Sequence, residues 1–360
     1  MTDKMKIASL FIVLIAGLLF TSCENGSWEF PDYDYSTVYF AYQTPVRTIT
    51  LGNDYVNDNS LDNEHKCQIM ATVGGFREIK NDIEIGFTVD NALCSSLGNV
   101  KAMPSNYYTL SDNSKMIISK GSKMIGGVVV QLTDAFFADP LAISTNYVIP
   151  LRMTNVKNAD RILAGQAVEG ISNPNRFIAD NWATVPKDYI LYAVKYINNW
   201  DAIYLRRGKD VITEDGVTRT VMRRGQYVPE DDELMRLKSV SLKEIEFPMN
   251  YVNVGNVDLG MKLKMTFNGN DCTLSAFKTD YTVGAIRVYN VVVTGTGKYV
   301  KDGEKFSWGQ KDRDALYLDY NVAYKVTTGG VDQNVSYSTK DTLVLRDRGI
   351  TAETFTPVLK

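Results

Sequence analysis

Hydrophobic and polar residues alternate with a period of two through most of the chain beyond residue 35. Ile83, Ile85, Phe87 and Val89 fall on one face of such a segment, and Glu84, Gly86 and Thr88 on the other. This is the pattern of a half-buried β-strand. Shorter strand-like runs lie at 36–42, 46–51, 67–73, 117–119, 127–132 and 147–153, with a loop or helical turn expected at 134–140. Many short strands without a long amphipathic helix predict an immunoglobulin-like two-sheet sandwich over 36–155. The pattern lapses in a polar stretch around Pro174, so 156–185 reads as a linker. It returns from Tyr189. Leu259, Met261, Leu263, Met265 and Phe267 alternate with Gly260, Lys262, Lys264 and Thr266, and a similar alternation runs from Leu316 to Val326. Eight to ten antiparallel strands are expected over 186–360, beginning with 189–197 and 200–206 and ending with 342–346. They predict a closed or nearly closed, lipocalin-like barrel, with a second sandwich as the alternative.

The N-terminus carries a different signal. Lys4 and Lys6 precede an apolar run from Ile7 to Phe20. That run suits an export signal and is short of the ~20 residues a membrane span needs. Thr21, Ser22 and Cys23 follow at once. The arrangement resembles a bacterial lipoprotein signal, cleaved after residue 22 and acylated on Cys23, although Phe20 is larger than the pattern prefers. Residues 23–35 read as a tether, and Glu24 resembles a surface-export signal of Bacteroidetes lipoproteins. The expected address is the outer membrane, through lipid, on the cell surface, with a periplasm-facing anchor as the alternative.

Formal net charge is −3, and no basic patch is rich enough to point to nucleic acid. Besides Cys23 there are Cys67, Cys94 and Cys272. They permit one internal disulfide at most. Cys67 with Cys94 is the nearer pair, and two buried thiols fit equally well. His65 is the sole histidine, and no cysteines have zinc-ligand spacing, so no metal or other cofactor is expected. The loops 53–64 and 228–233 are rich in oxygen donors but lack EF-hand spacing. Glycosidases use paired carboxylates. Glu244 with Glu246 and Asp312 with Asp314 have same-face spacing, but a solvated strand face or turn explains each pair. No nucleophile elbow, zinc-protease motif or phosphate loop occurs. The chain reads as non-catalytic.

Binding chemistry is better represented, with 21 Tyr, 14 Phe and 4 Trp. A sugar ring offers an apolar C–H face to an aromatic and a hydroxyl rim to Asp, Asn or the donor fork of Arg. Trp200, Asp201, Tyr204 and Arg206 bring these groups together after the turn at Asn198 and Asn199. They form the first candidate platform, and barrel core is the competing reading. Trp308, in the loop FSWGQKDRD, and Tyr317, in the following strand, complete the candidate set; Trp308 would otherwise plug a barrel end or a domain seam. Trp182, Trp28 and the group Arg223, Arg224 and Tyr227 are weaker candidates. Asp341, Thr342 and Leu343 resemble a short O-glycosylation pattern of exported Bacteroidetes proteins.

The segments KYINNWDAIYLRRGKD at 195–210 and LTDAFFADPLAISTNYVIPLRM at 132–153 resemble a family of Bacteroidetes surface lipoproteins of unknown function. Its members are encoded near polysaccharide-utilisation genes and pair an N-terminal immunoglobulin-like domain with a C-terminal lipocalin-like domain. The resemblance implies a glycan or polysaccharide ligand, or an accessory role in its capture. It carries no catalytic motif. The alternatives are an adhesin-like or structural envelope protein that binds another protein, and a carrier of a small apolar ligand.

Overall fold

A computed structural model describes residues 33–226, 231–249, 252–254 and 257–360. The signal segment 1–22, Cys23, Trp28 and Tyr227 lie outside the described residues. The chain is predominantly β, and its strands form two large sheets.

The first body uses β1 (Thr37–Tyr39), β2 (Pro45–Thr50), β3 (Lys66–Gly74), β4 (Ile83–Val89), β5 (Lys115–Ile118), β6 (Ile125–Leu132), β7 (Tyr147–Lys157) and β8 (Tyr189–Ile197). The alternation at 83–89 is realised as far as Phe87: Ile83, Ile85 and Phe87 are buried and the intervening positions half-buried, while Val89, expected on the same face, is exposed at the strand end. The strands do not divide into two separate sheets. They pair in one path, β1–β3–β6–β5–β4–β7–β8–β2. A single core of Phe40, Ile69, Ile85, Met116, Val130, Phe136, Ile149 and Tyr196 packs against this path. The turn at Asp134–Ala138 is a short helix that contributes Phe136 and Phe137 to it.

Strand β8 corrects the expected boundary. Residues 189–197 were grouped with the second body, but they pair antiparallel with β7 and parallel with β2. The cause is visible in the sequence. Eight of the nine β8 positions are buried, as a strand covered on both faces requires. One face joins the main core, and the other packs Leu191 and Ala193 against Leu93, Leu97 and Val148. The expected linker also lies on this body. Arg161–Ile162 pairs with β1, Gln166–Ala167 pairs with Trp182–Thr184, and Arg176 donates to Asp188 at 3.0 Å.

The second body is built from β9 (Ile203–Glu214), β10 (Val217–Arg223), β11 (Glu233–Arg236), β12 (Lys238–Ser241), β13 (Glu244–Pro248), β14 (Lys262–Asn268), β15 (Asp271–Ala276), β16 (Ile286–Glu304), β17 (Arg313–Thr328) and β18 (Val331–Asp347). The path is β10–β9–β18–β17–β16–β15–β14–β13–β12, and β11 pairs with β9. It is one long sheet and not a barrel closed by an uninterrupted ladder. Its buried face gathers Tyr204, Met235, Phe247, Leu263, Met265, Phe267, Leu316 and Tyr320 into one core. Glycine is required at position 208, where a Cβ would stand 2.2 Å from the Asp341 carboxylate.

The chain does not finish in this body. Its last strand, β19 (Glu353–Thr354), returns to pair with β2, and Lys360 donates its amide to Ser96 O at 2.9 Å. Both bodies are therefore joined at two chain crossings, one before β9 and one after β18.

Candidate functional site

The first expected platform is core. Trp200 is 8% exposed and stacks on Phe267 with ring centroids 3.7 Å apart and planes at 9°. Asp201 accepts from Arg236 at 2.7 Å and from the Ser239 amide at 2.6 Å. Tyr204 is fully buried, and its hydroxyl donates to Trp200 O at 2.9 Å; burial raises its phenol pKa. Arg206 is fully buried and donates to Asp341 from Nε at 3.0 Å and from Nη2 at 2.7 Å. The polar groups were read as a sugar rim. They serve instead to satisfy one another in a region where an unpaired charge would be costly.

Trp308 lies at the seam between the bodies. Its ring packs 4.7 Å from the Arg313 guanidinium, whose other neighbour is the Tyr55 ring at 4.4 Å. Asp314 also belongs to the seam, while Asp312 pairs with Lys305 at 2.8 Å. Glu246 and Glu244 are outward-facing and pair with Lys262 at 2.8 Å and Lys264 at 3.1 Å. The donor-rich loop 53–64 turns its oxygens to nearby backbone: Asp54 accepts from the Val56 amide at 2.8 Å within the loop, and buried Asp62 accepts from the Thr50 amide of β2 at 2.9 Å. No cluster of metal-ligating side chains occurs among the described residues.

Tyr317 is the expected site residue that lines an open cleft. The cleft has about 660 Å³ and lies over β14, β15, β16 and β17. Strand register sets its surface. Residues directly opposite in antiparallel strands share a face. One row across the sheet runs Asn268, Asp271, Lys298, Tyr317 and Thr342. The next row runs Thr266, Thr273, Thr296, Asp319 and Lys340. Hydroxyls, an amide, carboxylates and two ammonium groups thus lie in the rows around one phenol ring. Tyr317 is fixed by donating to Glu304 at 2.9 Å and to Gly303 O at 3.1 Å; its pKa is pushed up to about 12 by burial and then by Glu304.

The same rows continue into a second cleft of about 520 Å³ at the other end of the sheet. Thr342 faces Arg207, and Lys340 faces Lys209, which in turn faces Met222. Arg207 is held against Glu304, the same carboxylate that fixes Tyr317. Over this cleft stands Phe306, 86% exposed, with a backbone φ of 45°. That conformation is costly for a bulky residue. The ring was not singled out in the sequence because Phe306 sits among polar loop residues beside the more conspicuous Trp308. Seven strands from β10 to β14 carry the two clefts, so at ~4.8 Å per strand spacing the surface spans an arc of roughly 29 Å.

The fold and this surface define a two-body, all-β protein with an extended polar and aromatic outer face. A family model described as a domain of unknown function, DUF5627, matches residues 199–349, and a model described as an N-terminal domain matches 33–160. A crystal structure of a Bacteroides ovatus protein of unknown function is 40% identical, covers 91% of this chain and 100% of its own, and superposes with a TM-score of 0.78. The chain belongs to the family of that protein. An auxiliary nutrient binding protein from Bacteroides thetaiotaomicron is 12% identical over 83% of this chain and 90% of its own, with a TM-score of 0.35. No curated protein matches.

Proposed function

We propose that this is a non-catalytic lipoprotein of the outer membrane, exposed at the cell surface, that binds a glycan or polysaccharide as an accessory to its capture. The observation that carries the reading is the outer-face surface centred on Tyr317, where an aromatic ring lies among the outward Thr, Asn, Asp and Lys side chains of neighbouring strands. Aromatic surface suits the C–H face of a sugar, and the surrounding donors and acceptors suit its hydroxyls. An arc of several strands favours an oligosaccharide over a single sugar.

The lipocalin-like reading of the second body belongs to the same proposal. Residues 233–241 support it: β11 pairs with β9, and β12, one residue further on, pairs with β13 at the other end of the path. A single chain segment therefore touches both ends of the sheet. The interior is occupied by Phe247, Phe267, Tyr204 and Tyr320, each 2% exposed or less, which favours an outer binding face over an enclosed apolar-ligand site.

The test is titration of the full chain, purified in detergent, with a panel of plant, microbial and host polysaccharides. Saturable binding that is lost in Tyr317→Ala is expected. Absence of binding across the panel would refute the reading and turn attention to a protein partner. The anchor is tested separately: Cys23→Ala should move the protein from the membrane fraction to the soluble one, and unchanged membrane attachment would overturn it.

A further inference from the structure

We infer that the cleft beside Lys209 and Lys340 selects an acidic glycan, binding a carboxylate or sulfate group on the polysaccharide; this rests on the glycan-binding reading and names its substrate class. Lys209 and Lys340 stand directly opposite each other on neighbouring strands and on the outer face. Like charges in that position repel. Lys340 relieves part of the repulsion by turning to Asp319 on its other side, at 3.1 Å. Both partners of that bridge are exposed, 79% and 58%, and an exposed pair of this kind is weak and easily exchanged for a ligand anion. Lys209 is exposed and has no ion pair among the described residues.

The surroundings add to the same end. Arg207 precedes Lys209 by two residues on β9 and so shares its face, and it lines the cleft together with Arg224. The carboxylates nearest in sequence do not compete for this space. Asp210 and Asp341 are buried and accept from Arg223 at 2.7 Å and 2.6 Å. Arg207 is taken up by Glu304, which lines the cleft beside it, so the exposed cations left to meet a ligand are Lys209, Lys340 and Arg224. Met222, 68% exposed, and Phe306, 86% exposed, supply apolar faces beside the cations. Cations next to an aromatic and an aliphatic surface match a charged sugar, whose ring and anionic substituent must be held together. The neighbouring Tyr317 cleft, reached through the Asp319–Lys340 and Tyr317–Thr342 pairings, would take the sugars on either side.

The experiment compares polygalacturonate, chondroitin sulfate, desulfated chondroitin and two neutral glucans, each titrated against the full chain in detergent at low and high salt. Phosphatidylglycerol vesicles serve as a lipid comparison. The acidic polymers should bind more tightly than the neutral ones, with an affinity that falls as salt screens the contact. Lys209→Met with Lys340→Met should weaken acidic-polymer binding by roughly two- to fivefold per lysine, and Lys120→Met, on a loop of the first body, should not. Asp319→Asn should tighten it several-fold, because Lys340 loses its competitor; a merely structural role for Asp319 would not give that sign. Preference for chondroitin sulfate over its desulfated form assigns the group to sulfate, and equal binding assigns it to carboxylate. Neutral glucans binding as well as acidic polymers, with the lysine variants unchanged, would overturn the inference and leave the glycan reading standing. Vesicle binding without any acidic-glycan binding would also overturn it. No binding by any polymer would remove both.

Discussion

The Tyr55 hydroxyl donates to Asp314 Oδ1 at 2.9 Å and accepts from the Asp314 amide at 3.0 Å, so one side chain of the first body is bound in both directions by one residue of the second. Asp314 is buried and also accepts from Tyr299 at 2.7 Å and the Asp302 amide at 2.9 Å. Arg348, fully buried nearby, donates to the carbonyls of Asn198 and Asn199, both at 2.8 Å, and to that of Leu51. Chain ends of strands from both bodies are thereby tied to the same few groups.

This seam leads to a prediction about cooperativity. Tyr55→Phe removes the hydroxyl and leaves a buried carboxylate with one donor fewer, which should cost roughly 1–3 kcal/mol. Asp314→Asn should cost at least as much, because three donors lose a charged acceptor. Denaturant unfolding followed by tryptophan fluorescence is expected to show one transition in the wild type and a separated, earlier transition of one body in Asp314→Asn. The seam also sets an alkaline limit. Burial and Asp314 push the Tyr55 phenol up to about 12, above its ordinary value of 10.0. The folded state therefore favours the protonated phenol. That contribution is fully present below pH 10 and is lost as pH rises toward 12. Tyr55→Phe should flatten the fall in stability over that window.

Strand content was legible because the alternation of apolar and polar residues fixes which face of each strand is buried. Segment 262–267 follows the pattern residue for residue, and 83–89 does so up to Val89, which is exposed at the strand end. Strand membership was less legible. Tyr189–Ile197 has no polar alternation to reveal its neighbours, and its partners β7 and β2 lie some forty and over a hundred residues earlier in the chain. The candidate site failed for a related reason. The strand expected from Trp200 begins at Ile203, which leaves Trp200 in the preceding turn; Tyr204 and Arg206 do share one face of it, but a period of two cannot tell whether that face looks inward or outward. Arg206 sits inward because Asp341 and Tyr320, more than a hundred residues away, supply partners. Tyr317 faces the cleft because its inward neighbours Leu316 and Leu318 fill the core.

Burial of Trp200 separates the two surfaces experimentally. Trp200→Ala removes an indole stacked on Phe267 and should cost about 3–5 kcal/mol. Trp200→Phe keeps most of the packing and should retain glycan binding at the wild-type level. Tyr317→Ala should do the reverse, with a small change in melting temperature and loss of binding. Equal loss of binding in Trp200→Phe and Tyr317→Ala, measured by titration calorimetry, would restore Trp200 as a contact residue.

The cysteines make a chemical prediction. Cys67, Cys94 and Cys272 are all buried free thiols, so the Cys67–Cys94 pairing left open by the sequence is not formed. Burial pushes the thiols up, to about 12, 11 and 12 respectively. Thiolate is the reactive form, so a chain beginning after Cys23 should be nearly inert to a thiol-specific reagent at neutral pH. Guanidinium unfolding should expose all three at once. Fast modification of any one before unfolding would contradict its burial.

Phe306 places stability and binding in opposition. Its φ of 45° is a left-handed conformation that a bulky side chain adopts at a cost, while the ring gains almost no burial in return, being 86% exposed. The surrounding turn enforces it: Gly309 and Gln310 also have positive φ, and the Phe306 amide donates to Asp312 at 3.2 Å. Under the glycan-binding proposal the exposed ring is a ligand contact, and that contact offsets the backbone cost. Phe306→Gly should relieve the strain and raise stability by about 1 kcal/mol, while weakening glycan binding by removing the apolar face above the cationic cleft. Phe306→Ala loses the ring without the backbone relief and should weaken binding with little gain in stability. Thermal denaturation and titration of the same two variants test both halves of the statement. A stabilised Phe306→Gly variant that binds as tightly as wild type would show that the ring takes no part in recognition.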